Sequence, residues 1–158
     1  MNPPSDPSYA DHPVGNRLKL SALWTSTLFV FVYVDLFSLY RPDFRADIES
    51  GKIAGFDIDQ GFLFIVTLYV AIPSLMVFAT LVLRPGLNRI LSIVLSGFYG
   101  VTILGSAIGE WNYFIFGSVI EVILLALIGY YAWTWPKAQP DHGGAGFVEL
   151  KGSAGGVI

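Results

Sequence analysis

From Leu20 to Tyr40 the chain carries a single charged side chain, Asp35, inside an otherwise apolar run. About 20 such residues make an α-helix long enough to cross the roughly 30 Å hydrocarbon core of a bilayer. In that setting every backbone N–H and C=O must be satisfied within the helix, so a helix is the conformation this stretch can take. An ionised Asp near the bilayer centre costs about 3 kcal/mol. Asp35 must therefore be paired, carry its proton, or lie shallow enough to reach water.

Composition extends this reading to the whole chain. Of 158 residues, 54% are hydrophobic and only 13% charged, against about 25% charged in soluble chains. That leaves too little polar surface to solvate a globule. A net charge of −3 gives no electrostatic footprint for nucleic acid. The absence of Cys excludes disulfides, thiolate metal sites and thiol redox chemistry. His12 and His142 lie in polar tails, so no pair of histidines is expected to hold a haem between helices. No cofactor is expected.

Taken in order, residues 1–17 hold four prolines and no apolar period, and read as a disordered tail rather than a cleaved leader. The transmembrane domain is expected over 18–136, with spans at about 20–40, 61–83, 90–108 and 111–135. Residues 137–158, rich in glycine, read as a flexible tail. In the loop 41–60, Pro42 suits a first helical turn, Phe44 and Ile48 share a face, and Gly51 suits a C-terminal cap. This predicts a short amphipathic helix at the interface. Pro73 falls inside the second span and is a candidate kink, with Thr67 and Ser74 placed to satisfy the carbonyl it frees. Arg84-Pro85-Gly86-Leu87-Asn88-Arg89 makes a tight turn, so the second and third spans form an antiparallel hairpin. Ser92, Ser96 and Gly100 repeat every four residues, the spacing that lets helix backbones approach closely. The third span is accordingly expected to pack centrally or in a homomeric contact.

The fold class is thus all-α: an integral membrane, up-down-up-down bundle of four transmembrane helices with an interfacial helix between the first two. Basic residues number five on one side (Arg17, Lys19, Arg84, Arg89, Lys137) and three on the other (Arg41, Arg45, Lys52). The bias puts both termini in the cytoplasm of a multi-pass cell-membrane protein.

Two acids then share the outer half of the bilayer: Asp35 near the end of the first span and Glu121 in the fourth. With Thr102, Ser106 and Thr67 they form the candidate intramembrane polar site. Water, or a snorkelling Arg41 or Arg45, is the bland explanation for Asp35. A hydrogen bond from a protonated side chain is the bland explanation for Glu121. A shared proton or cation site is the sharper one. Two functions follow. One is an accessory or structural membrane component that acts through helix contacts, as a homo-oligomer or within a larger membrane complex. The other is a small conduit or carrier for protons, cations or a small polar solute using Asp35 and Glu121. No nucleophile–base pair or phosphate-cradling loop is visible, so an enzyme is not expected. Partners are the lipid bilayer and other membrane helices, not nucleic acid.

Leu20-Ser21-Ala22-Leu23-Trp24 opening the first span, Asp35 near its end, Asn88-Arg89, Glu121, and Ala132-Trp133-Thr134-Trp135 closing the fourth form a recognisable set. The chain resembles a family of small bacterial and archaeal four-helix membrane proteins of unknown function, over roughly Leu18 to Pro136. The resemblance implies the architecture and assigns no chemistry. Where that pattern places an acid before the Ile-Pro of the second span, this chain has Ala71 ahead of Ile72-Pro73.

Overall fold

The computed structural model describes residues 13–136. The expected C-terminal tail and residues 1–12 of the N-terminal one therefore lie outside the described residues. Asn16 and Arg17, expected in the N-terminal tail, already belong to the first helix. It contains α1 (Asn16–Ser38), α2 (Pro42–Glu49), α3 (Gln60–Val82), α4 (Pro85–Ser106) and α5 (Asn112–Trp133). Four of these, all but α2, are long and apolar enough to cross a membrane. At about 1.5 Å per residue their 22 or 23 residues span about 33 Å, close to the hydrocarbon thickness.

Helix ends follow local chemistry. Pro42 and Pro85 open α2 and α4, where a missing N–H is no loss. The Asp59 carboxylate accepts the Phe62 N–H at 2.7 Å and caps α3. Gly51, just past α2, takes φ +81°, the left-handed conformation that ends helices. The amphipathic helix expected from Pro42 onward is therefore present, with Phe44 and Ile48 the half-buried positions of one face.

The loop also holds an unexpected element. Lys52–Ile53 (β1) pairs antiparallel with Phe56–Asp57 (β2). Ala54 and Gly55, both at positive φ, make the two-residue turn, as the twist of a tight hairpin demands. Two-residue strands carry no alternation to read, and Ala is an unusual residue at such a φ.

In the bundle, α5 lies between α1 and α4, while α3 flanks α1. The expectation of a central third span is thus corrected: α1 and α5, not α4, are the helices packed on two sides. The small-residue spacing on α4 is likewise only partly used. Ser92 and Ser96 are buried, but a Cβ on Gly100 would meet nothing within 4 Å. The tightest glycine among the described residues is instead Gly117 of α5, where a Cβ would lie 2.2 Å from Val34 Cγ2 of α1. The α3–α4 hairpin is not closely packed along its length. Large side chains close that seam, with Tyr69 of α3 and Tyr99 of α4 at a centroid distance of 4.7 Å.

One end of the bundle gathers the start of α1, the end of α3, the start of α4 and the end of α5; we call it the terminal end. The other, carrying α2 and the hairpin, is the loop end. At the terminal end, Lys19 lies over the Tyr131 ring and Arg89 over the Trp133 ring, contacts favourable for a cation on a π face. At the loop end, Arg41 lies over the Trp111 ring. Both ends of α5 are held in the same way.

Candidate functional site

Buried residues of α5, Gly117, Ser118, Glu121, Leu125, Ile128 and Ala132, form one stripe directed into the bundle. Glu121 is 3% exposed, and its Oε1 has no hydrogen-bond partner. Ser118 Oγ, one turn away on the same stripe, is also buried and unpartnered, as is Trp24 Nε1 of α1. A buried polar atom without a partner costs about 1–3 kcal/mol, so three in one small bundle mark its interior as a polar centre. Sequence spacing already places Ser118 on the same inward face as Glu121; that these two and Trp24 lack partners emerges only from the packing.

Around this centre lies a second set of groups. Tyr69 Oη of α3 and Thr102 Oγ1 of α4 are 2.7 Å apart. Tyr99 Oη donates to the Tyr69 carbonyl at 2.6 Å. That carbonyl is the one Pro73 leaves free, because a proline four residues on has no N–H to offer. The expected donors, Thr67 and Ser74, bond the Leu63 and Val70 carbonyls of their own helix instead. A tyrosine from the next helix does the work, and α3 remains one continuous helix through Pro73. Trp24 packs edge-on against Tyr99. Between α1, α3 and α4 a cavity of about 20 Å³ remains, lined by Trp24, Phe31, Tyr69, Pro73 and Tyr99 among others.

Three of the other expected site residues lie elsewhere. Thr67 and Ser106 are exposed, and Ser106 bonds the Ile103 carbonyl of its own helix. Only Thr102 joins the interior set. Asp35 is exposed on the bundle surface. With Val34 opposite Gly117, the antiparallel register of α1 and α5 puts Asp35 level with Phe116. Glu121 is then five residues, or about 7–8 Å, deeper along the bundle axis. The two carboxyl groups form no mutual hydrogen bond, and neither lines the central cavity.

Nor does Arg41 or Arg45 reach Asp35. Arg41 pairs with Asp43 at 2.6 Å and with Glu110, tying the loop after α1 to the turn before α5. The Arg41 guanidinium holds the Asp43 carboxyl below its ordinary 3.8. Asp35 takes part in neither of the ion pairs among the described residues.

A family model described as a family of unknown function, DUF6326, matches residues 12–141. The chain belongs to that family. This agrees with the resemblance carried by the Leu20–Trp24, Asn88-Arg89, Glu121 and Ala132–Trp135 motifs. No curated protein and no solved structure matches the chain. In this DUF6326 protein the motif residues are largely structural in placement. Leu20, Trp24, Asn88 and Ala132 are each 0% exposed, and Asn88 Nδ2 donates to the Thr80 carbonyl at the end of α3.

Proposed function

We propose that this protein is an integral membrane component that works through contacts with other membrane helices, and that it is not an enzyme. The observation that carries this reading is α3. It is the most apolar of the four long helices and the least buried. Its exposed side chains include Leu63, Phe64, Ile65, Leu75 and Phe78. A helix that gives so little of its surface to its own bundle is suited to a partner in the same membrane. The sequence adds support: the chain has no Cys, and His12 and His142 lie outside the apolar helices.

Cross-linking in the native membrane, followed by purification in mild detergent and mass measurement, tests the reading. The expected result is a discrete assembly larger than one protomer. A lone protomer at native abundance would overturn it.

The unpartnered carboxyl oxygen of Glu121 favours a second reading, a conduit or carrier for protons, cations or a small polar solute. Purified protein in liposomes separates the two. Proton or cation flux above protein-free vesicles, lost in Glu121→Gln and in Asp35→Asn, would establish the second reading.

A further inference from the structure

One face of α1 meets α3. Arg17 Nη1 donates to the Leu81 carbonyl at 2.7 Å, and Ser21 Oγ donates to the Val77 carbonyl at 2.9 Å. Asp35 follows Arg17 by 18 residues, about five turns at 3.6 residues per turn, and so lies on that same face. At its level the two helices no longer cover one another. Asp35 is exposed, and on α3 Leu63, Phe64, Ile65, Val66 and Leu68 are all exposed. Phe31 of α1 and Tyr69 of α3 still pack together, at a centroid distance of 5.9 Å. Beyond them the last two turns of α1 and the first two turns of α3 flank an open wedge with apolar walls and one carboxylate.

Asp35 lies three residues before Ser38, the last residue of α1, about 4.5 Å beneath the helix end. The apolar surroundings of Asp35 strengthen its attraction to a cation relative to water. Among the described residues none pairs with it: Arg41 is committed to Asp43 and Glu110. Its long helices carry Arg17, Lys19 and Arg89 only near the terminal end, so a second copy lying parallel has no cation at this depth.

We propose that the wedge between the last two turns of α1 and the first two turns of α3 receives a transmembrane helix of a different protein, one that presents a Lys or Arg to Asp35 about one turn from its membrane boundary. This rests on the helix-contact reading above and names the chemistry of the partner. The apolar walls of the wedge supply packing area, and the charge pair supplies specificity and register.

The test uses purified full-length protein in phosphatidylcholine vesicles with three labelled transmembrane peptides of leucine and alanine. They carry Lys, Leu or Glu three residues from one end, and association is read by energy transfer. The Lys peptide is expected to bind about tenfold more tightly than the Leu peptide, and the Glu peptide no better than Leu. Asp35→Asn should erase the preference, whereas Asp35→Glu, which keeps the charge, should retain it. Equal binding of the Lys and Leu peptides, or a preference that persists in Asp35→Asn, overturns the proposal. Self-association of the protein that is lost in Asp35→Asn overturns it in favour of a second copy. Loss of the Lys preference when phosphatidylethanolamine replaces phosphatidylcholine overturns it in favour of a lipid amine. The broader reading fails separately, through the absence of any cross-linked assembly in native membranes.

Discussion

At its terminal end the bundle is tied on all four sides, whereas toward its loop end ties join α1 to α5 and, through Tyr69 and Thr102, α3 to α4, and none among the described residues joins α1 to α3. Arg17 and Ser21 join α1 to α3, and Asn88 joins α4 to α3. Lys19 and Arg89 join α1 and α4 to α5. At the loop end, Ser38 meets Tyr113 at 2.9 Å, Val34 fits against Gly117, and Arg41 spans to Glu110 and Trp111. The first two turns of α3 have no comparable tie to α1 or α4. Hydrophobic sequence alone cannot produce this asymmetry, because apolar side chains gain little from one another in a lipid surrounding. It comes from where polar side chains meet backbone carbonyls that helix ends and prolines leave free.

The strongest way to break the comparison is at the terminal end. Asn88→Ala removes a fully buried donor to Thr80 and a partner of Ser92. A loss of about 3 kcal/mol in unfolding free energy is expected, from an orphaned carbonyl plus a cavity. Reversible denaturation in detergent micelles would measure it. A loss below about 1 kcal/mol would mean that this end owes its closure to something else.

Next in size is Gly117→Ala at the loop end. The added methyl would collide with Val34, a short branched side chain that cannot swing away. We expect a cost of about 2 kcal/mol, relieved in the double variant with Val34→Ala. Gly129→Ala is the control: its Cβ would meet only Ser96 Oγ, at 3.4 Å, an ordinary contact, so little or no loss is expected.

Tyr99→Phe should cost about 1 kcal/mol by leaving the Tyr69 carbonyl unmet. Pro73→Ala restores an N–H four residues after Tyr69, so in that background the cost of Tyr99→Phe should shrink. Additive losses in this double-mutant cycle would show that the tyrosine serves another purpose.

The smallest effect concerns pH. Asp43 binds its proton less readily in the folded chain than in the unfolded one, because of Arg41. Its contribution is therefore present above pH 3.8 and is lost as pH falls through the lower folded value. Hydrogen exchange in residues 41–60 should be unchanged between pH 8 and pH 5, after correction for the intrinsic rate, and should quicken below about pH 3.8.

Much of the architecture was legible because single helices declare themselves locally. A long apolar run, a proline at the first turn or a glycine past the last needs no neighbour to be read. Neighbours decide the rest. The hydroxyl that meets the carbonyl freed by Pro73 comes from Tyr99, 26 positions further on, whereas Thr67 and Ser74 are adjacent in sequence and turn back on their own helix. Thr67 and Ser106 share a level with the acids but not a direction. Asp35 and Glu121 share the outer half of the bilayer by sequence, yet one is exposed and the other enclosed, since depth along a helix says nothing about which side the next helix covers. Ser118 is legible as a member of the inward, small-residue face of the fourth span, but that its hydroxyl finds no partner there is decided by the packing.

The carbonyls of α3 have a consequence for the order in which the chain can be built. Leu81 would normally be met by the N–H of residue 85, which is a proline, and Thr80 and Tyr69 are also served from outside the helix. Of these donors, Arg17 is synthesised before α3, and Asn88 and Tyr99 after it. When its last residue is made, α3 is thus still missing two of its three outside donors. It becomes a complete helix only when α4 follows, so the pair has reason to enter the bilayer together.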